Sequence, residues 1–145
     1  MNFLLDVNVL IALFWPDHEA HDRAQQWFAR KGRSGWATCP FTQAGFVRIL
    51  SNPSFSTQAV TPHEAMRLLV ANLNHSGHQF WKDEITFADA VQPFQAKLKG
   101  HQQVADAYLL GLAMHQRGKL ATLDKKIGSL LSKNTDWSFL EIIVQ

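Results

Sequence analysis

The sequence predicts an α/β fold in which a mainly parallel sheet of about five strands is covered by helices on both faces. Short apolar runs of strand length alternate with longer segments of helical periodicity, which is the element order of a parallel sheet. Turn signals are spread along the sequence instead of being gathered in one linker. A chain of 145 residues with 46% hydrophobic residues can bury one sizeable core, so we expect residues 1–145 to form a single domain.

The first half of the chain opens with a short apolar strand, Phe3–Leu5, followed by a helix at Val7–Phe14. A breaker at 15–17 separates this helix from an amphipathic one at 18–30. Further elements follow from turn and capping residues: a strand at 35–38, a helix opened by Pro40, and a helix through Leu73 that begins with Thr61 as N-cap.

The second half repeats the alternation of strands and helices. The predicted elements are a strand at 78–81, a helical stretch at 85–98 broken near Pro93, a long helix at 104–117 ended by Gly118, a strand at 119–123, a short helix at 125–131 and a last strand at 137–144.

Composition excludes several classes of protein. The apolar opening is interrupted by Asp6 and Asn8 and has no basic segment before it, so we expect neither a membrane span nor a secretory signal. Cys39 is the only cysteine, which rules out an internal disulfide or a cysteine-based zinc cluster within one chain and fits a reducing, cytoplasmic location.

The charge balance permits an anionic partner without identifying one. The net charge is +2 and the pI is near 8.9, well short of a basic stripe. An RNA would need a local basic patch, and the candidates are Arg30, Lys31, Arg33, Arg48, Lys125 and Lys126.

Three aspartates occupy equivalent places in this layout. Asp6 follows the first strand, Asp124 follows the strand at 119–123, and Asp106 lies in the first turn of the helix at 104–117. The carboxyl ends of parallel strands share one edge of the sheet, so Asp6 and Asp124 should face one crevice, and Asp106 joins them if its helix starts there. Helix capping is the alternative interpretation for each residue taken alone.

Converging carboxylates require a cation. Two of them about 4 Å apart repel by roughly 4 kcal/mol at an effective dielectric of about 20. Oxygen ligands without cysteine or a pair of histidines nearby favour Mg²⁺ or Mn²⁺ over zinc. Such an ion can activate a water for attack on a phosphodiester, so the pattern predicts metal-assisted hydrolysis.

Four segments together resemble the PIN-domain family and, within it, the VapC-like toxins of type II toxin-antitoxin pairs. They are 3–10, 42–48, 104–109 and 121–124, they occur in the family's order, and they span nearly the whole chain. The resemblance implies a three-layer α/β/α fold, endonucleolytic cleavage of RNA with Mg²⁺ or Mn²⁺, inhibition by a small VapB-like antitoxin, and a homodimer.

The resemblance also implies roles for individual residues. Asp6, Asp106 and Asp124 match the metal-binding acids, and Asn8 and Thr122 match polar positions that support the metal waters. The departure is at Gln43, where many PIN nucleases carry Glu, so that a negative charge is missing. Asp83, Glu84 and Asp89 are the acids that we consider as replacements, and Arg48 is a candidate contact to a phosphate or to the antitoxin.

Two other functions stay open at this point. The first is a PIN fold that binds RNA or a protein with weakened or lost catalysis because of Gln43. The second is a phosphatase of the haloacid-dehalogenase type with Asp6 as nucleophile, although that chemistry expects a second acid where Asn8 stands.

Overall fold

The computed structural model describes residues 2–132 and 137–144 and contains a sheet of five strands in the order β3-β2-β1-β4-β5. All four strand pairings are parallel. The strands are β1 (Phe3–Leu5), β2 (Trp36–Thr38), β3 (His78–Phe80), β4 (Lys119–Thr122) and β5 (Leu140–Ile142). The predicted sheet is therefore confirmed, with every pair parallel.

Helices connect the strands as the sequence predicts. The α-helices are α1 (Val7–Phe14), α2 (His21–Arg30), α3 (Pro40–Leu50), α4 (Pro62–Leu73), α5 (Phe87–Val91) and α6 (Val104–His115). Short 3-10 helices occur at Gly32–Ser34, Gln92–Lys97, His101–Gln103, Lys125–Leu130 and Trp137–Phe139. Within the described part of the chain, no helix is both long enough and apolar enough to cross a membrane.

Two hydrophobic clusters cover the two faces of the sheet. Leu4 packs in one cluster with Leu109 of α6, whereas its neighbour Leu5 packs in the other with Leu10 of α1 and Phe46 of α3. This alternation follows from the two-residue period of a strand, whose successive side chains point to opposite faces. A strand buried on both faces must be apolar throughout, which explains the unbroken apolar run that predicts β1.

The strand order fixes the position of the site. From β1 the chain moves outward to β2 and β3 and then returns to place β4 on the other side of β1. The reversal occurs between β1 and β4, and ligands of open parallel sheets bind in the crevice outside the strand ends at such a point.

Several predicted boundaries are wrong. Helix α2 begins at His21 instead of residue 18, because His18 belongs to a turn in which its ring accepts a hydrogen bond from the Ala20 N–H. The last predicted strand begins only at Leu140, since residues 137–139 form a 3-10 turn.

The ends of the helical segments around Pro93 and Gly118 also differ in detail. The stretch at 85–98 contains only the short helix α5 and continues as a 3-10 helix, in which the missing N–H of Pro93 is tolerated. After α6 the left-handed residue is Arg117 (φ 57°), and the Gly118 N–H bonds to the Ala113 carbonyl. The predicted short helix at 125–131 is a 3-10 helix that ends at Leu130.

Candidate metal centre

Asp6 lies at the junction of β1 and α1 and is only 7% exposed. One carboxylate oxygen accepts a hydrogen bond from the Val7 N–H at 2.7 Å, so the capping role is real. The other oxygen accepts a hydrogen bond from the Thr122 hydroxyl of β4 at 2.8 Å. Asp6 therefore does more than cap its own helix, because it is also fixed to the neighbouring strand.

Thr122 and Asn8 form a hydrogen-bonded frame around Asp6. Besides donating to Asp6, the Thr122 hydroxyl accepts from the Asp124 N–H at 3.1 Å and from the Asn8 amide at 3.3 Å. The Asn8 carbonyl oxygen accepts from the Leu123 N–H at 3.2 Å. The Thr122 hydroxyl is thus fully occupied within the protein, and its observed contacts orient the acidic residues.

Asp106 and Asp124 complete the group of acids. Together with Asp6 they line a cavity of about 320 Å³, which we call the aspartate pocket; its other lining residues include Asn8, Ile11, His18 and Phe55. Helix α6 therefore begins at the edge of the sheet where β1 and β4 end. From the sequence, we expect Asp106 to join Asp6 and Asp124 only if this helix starts there. Asp106 and Asp124 also line an adjoining cavity of about 650 Å³ with Lys99 and Lys126.

The electrostatics of the aspartate pocket disfavour negative charge. Burial raises the pKa of Asp106 from its ordinary 3.8 to about 6, and the charges of Asp6 and Asp124 act in the same direction. Burial also raises the pKa of Asp6, where hydrogen bonds from Thr122 and Val7 oppose the shift and the charge of Asp124 adds to it. The three carboxyl groups are close enough to repel one another.

No basic side chain among the residues that the structure describes forms an ion pair with the three aspartates. The ion pairs of the described residues join Lys31 and Lys119 to Glu141, and His115 to Glu84. None of these pairs includes one of the three aspartates. Clustered, uncompensated carboxylates are the donor set that a hard divalent cation prefers.

The donor chemistry suits an ion that keeps part of its water shell. Across residues 2–132 and 137–144, no group of three or more Asp, Glu, His or Cys side chains is arranged to hold one metal ion directly. Mg²⁺ usually takes one or two carboxylates directly and retains several waters, so a closed cage is not required. Asp6, Asp106 and Asp124 are the residues that would hold such an ion.

Gln43 and Arg48 lie outside the aspartate pocket. The Gln43 amide donates to the Thr38 hydroxyl at 3.0 Å, and that hydroxyl also contacts the His78 ring at 2.7 Å. Gln43 and Arg48 both line a groove between α3 and α4 that is bounded by Pro62. The family resemblance groups Gln43 with the aspartates, whereas the structure directs its side chain to β2.

The three acids considered as replacements for the missing Glu are also used elsewhere. Asp83 accepts a hydrogen bond from the Tyr108 hydroxyl, and Glu84 accepts one from the Gln116 amide at 2.9 Å. Asp89 lies in the first turn of α5, which Thr86 caps. Among the described residues, the lining of the aspartate pocket includes none of the three.

His18 is the residue of this pocket that sequence reasoning missed. Its Nδ1 accepts the Ala20 N–H at 3.0 Å, so the neutral ring carries its proton on Nε2 and offers a donor there. Burial is the main cause that lowers the pKa of His18, with Arg23 and His21 adding to the shift and Glu19 opposing it. The helical pattern of the sequence includes His18, which hides the turn that directs its ring.

Most of the chain is similar to known proteins of one family. The sequence profile of the PIN domain matches residues 3–130. Ribonuclease VapC39 of Mycobacterium tuberculosis is 41% identical over 132 residues, which cover 91% of this chain and 95% of that protein. Ribonuclease VapC38 of the same organism is 42% identical over 127 residues, which cover 88% of each chain.

Solved structures with low sequence identity share the fold. The structure of VapBC2 from Rickettsia felis, bound to a DNA fragment from its promoter, covers 98% of both chains with a TM-score of 0.62 and 13% identity. FitAcB from Neisseria gonorrhoeae covers 88% of this chain and 90% of its own, with a TM-score of 0.54 and 20% identity. The extent of the profile match and the identity to the VapC ribonucleases show that this chain belongs to the PIN domain family, in the group that contains those ribonucleases.

Proposed function

We propose that this protein is a metal-dependent endoribonuclease and the toxin of a toxin-antitoxin pair. The observation that carries the proposal is the convergence of Asp6, Asp106 and Asp124 at the β1–β4 edge, where none of them forms an ion pair with a described basic side chain. The relatives named above are ribonucleases, which supports hydrolysis of RNA as the reaction. The similarity gives no support to the phosphatase alternative.

The site residues have different roles in this proposal. Asp6, Asp106 and Asp124 would hold Mg²⁺ or Mn²⁺, which when bound would supply the activation of water for attack on a phosphodiester. Thr122 and Asn8 keep Asp6 in place. In this proposal the Nε2–H of His18 donates to a phosphate oxygen, and Lys99 and Lys126, which line the adjoining cavity, attract the RNA backbone.

The raised pKa of Asp106 predicts how the metal-free protein responds to pH. Between pH values of about 4 and 6 the folded protein binds more protons at this residue than the unfolded chain, so its contribution to the free energy of unfolding falls as pH rises. Removing the carboxylate in Asp106→Asn should therefore raise the melting temperature at pH 7 and do so less at pH 4. Thermal melts of both proteins in EDTA measure the difference, and a gap that is independent of pH would contradict it.

A second candidate function, binding without catalysis, is motivated by Gln43. If the missing charge had abolished the metal site, the unmodified protein would not cleave RNA and Gln43→Glu would restore cleavage. Because the Gln43 side chain is bound to Thr38 outside the aspartate pocket, we expect the reverse. The unmodified protein should cleave a structured RNA with Mn²⁺, and Gln43→Glu should change the rate by less than about tenfold.

A cleavage assay with Mn²⁺ decides between these functions. Asp6→Asn serves as the inactive reference, and Gln58→Glu adds the same charge in an exposed loop as a control. Cleavage by the unmodified protein supports the nuclease. Cleavage only by Gln43→Glu would support binding without catalysis, with Gln43 as the residue that abolished cleavage.

The partners in this proposal are RNA, a VapB-like antitoxin and a second copy of the chain. The solved neighbours include a VapBC complex, which supports a protein partner of the antitoxin kind. Arg48 is exposed in the α3–α4 groove, away from the aspartates, so we assign it to the antitoxin in preference to the scissile phosphate. We further propose that residues 1–145 form one domain, that a homodimer forms, and that the protein acts in the cytoplasm, where RNA is present.

A further inference from the structure

A further cavity, of about 520 Å³, lies beside the first turn of α6. We call it the aromatic pocket; its main lining residues are Phe41, Phe87, Tyr108, Asp83, Ile85 and His101. Neither the metal site nor the proposed cleavage step uses these side chains.

The aromatic pocket exposes large rings that a folded protein normally buries. Phe41 is 43% exposed and Phe87 is 51% exposed. Phe87 lies nearly parallel to Tyr108, with an interplanar angle of 16° and ring centroids 6.2 Å apart. Flat rings that are open on one side provide a surface on which another planar ring can stack.

The pocket also contains a fixed polar group. The Tyr108 hydroxyl donates a hydrogen bond to one carboxylate oxygen of Asp83. Burial, and next the hydrogen bond to Asp83, raise the pKa of Tyr108, so the phenol keeps its proton and remains a donor. Asp83 is exposed, and its second oxygen has acceptor capacity for a ligand.

Consecutive residues at the start of α6 line the aromatic pocket and the aspartate pocket. Val104 and Ala105 line it, and the next residue, Asp106, lines the aspartate pocket. Phe41 follows the end of β2 and Asp83 follows the end of β3, so both lie at the same edge of the sheet as the three aspartates. A strand of RNA with one phosphate at the aspartates can therefore place a neighbouring base in the aromatic pocket.

We propose that the aromatic pocket binds one unpaired base of the RNA next to the cleavage site and prefers guanine. The proposal rests on the ribonuclease function proposed above. The exposed rings stack on the base, and the Asp83 carboxylate accepts hydrogen bonds from its edge. Guanine presents two adjacent N–H donors on its Watson–Crick edge, which match a carboxylate better than the edges of the other bases.

The chemistry of Asp83 favours a base over an apolar side chain of a protein partner. An apolar group seated on the rings would remove water from the Asp83 carboxylate without replacing its hydrogen bonds, which is unfavourable. A base covers the rings and supplies donors to the carboxylate at the same time.

Equilibrium binding to defined RNA probes tests the proposal. The probes are fluorescein-labelled short oligouridylates that contain either one guanine, one adenine, one cytosine or no substitution, and anisotropy is measured with Mg²⁺. The protein carries Asp6→Asn so that the probes stay intact. We expect the guanine probe to bind about tenfold more tightly than the all-uridine probe.

Variants of the pocket separate its two contributions. Asp83→Asn should remove most of the guanine preference, and Phe87→Leu should weaken all probes by about fivefold or more. Two changes outside the pocket, Asp89→Asn and Phe80→Leu, are matched controls. They should change neither the guanine preference nor the affinity for the probes. Circular dichroism of each variant excludes unfolding as the cause.

The outcomes distinguish this inference from the proposed function. Equal binding of all probes would overturn the base site and leave an apolar side chain of a protein partner as the occupant. A guanine preference that survives Asp83→Asn would overturn the aromatic pocket as the site that recognises guanine. Because binding is measured with Asp6→Asn, a failure of the unmodified protein to cleave RNA would overturn the proposed function without removing a measured guanine preference.

Discussion

Asp106→Asn is expected to lower Mn²⁺-dependent RNA cleavage by at least about a hundredfold, because outer-shell changes alone often lower metal affinity or activity by about 10–100-fold. The same change should raise the melting temperature of the metal-free protein. Burial and the charges of Asp6 and Asp124 destabilise the ionised carboxylate of Asp106. A neutral amide of the same shape avoids both effects. Cleavage rates and melts in EDTA measure the two results.

Asp22→Asn is the matched control for this prediction. Asp22 is also an acid in the first turn of a helix, but it is exposed on α2. Its removal should leave cleavage unchanged and slightly lower stability, since it loses a favourable interaction with the helix dipole. If Asp106→Asn behaved like Asp22→Asn in both measurements, Asp106 would be a helix-terminal residue with no part in the metal site.

Gly111→Ala is expected to lower the free energy of unfolding by about 3 kcal/mol. A Cβ atom at position 111 would lie 2.0 Å from the carbonyl oxygen of Ala90 and 2.8 Å from its Cα. These are backbone atoms of α5, so α5 and α6 would have to separate. Because Asp106 is in the first turn of α6, metal affinity should fall as well. Urea unfolding and a Mn²⁺ titration check the two effects.

Gly100→Ala provides the comparison for the glycine substitution. A Cβ atom at position 100 would meet no other atom within 4 Å, and the backbone there is extended. We expect little change or a small gain in stability, since alanine restricts the unfolded chain. Equal stabilities of the two variants would show that α5 and α6 do not pack as closely as the structure indicates.

The part of the site nearest to the strands is predictable from sequence. Phe3–Leu5 is apolar because β1 is buried on both faces, and the polar residue that follows marks the end of the strand. The same reasoning applies to β4 and Asp124. Parallel strands bring these ends together whatever lies between them, so the amino-acid sequence alone is enough to pair Asp6 with Asp124.

The residues that depend on distant contacts are not predictable in the same way. The orientation of Gln43 is set by Thr38, whose hydroxyl contacts His78, 40 residues further along the chain. No periodicity in the helix that carries Gln43 encodes that contact. Only the family resemblance groups Gln43 with the aspartates, and the side chain lies instead on the neighbouring groove.

The residues of the aromatic pocket are likewise not predictable from sequence. Large aromatic side chains are often buried in folded proteins, as Phe46 and Trp27 are. Phe41 and Phe87 follow similar local patterns but remain exposed, because they lie at helix starts on the sheet edge that nothing else in the described chain covers. Only the three-dimensional arrangement separates rings that build the core from rings available to a ligand.

The most direct test of a shared cation is an anomalous-scattering measurement on a crystal of the unmodified protein soaked in Mn²⁺. We predict one principal peak in the aspartate pocket, contacted by carboxylate oxygens of Asp6, Asp106 and Asp124 directly or through one water. Absence of a peak there would contradict the metal centre and the ribonuclease function built on it.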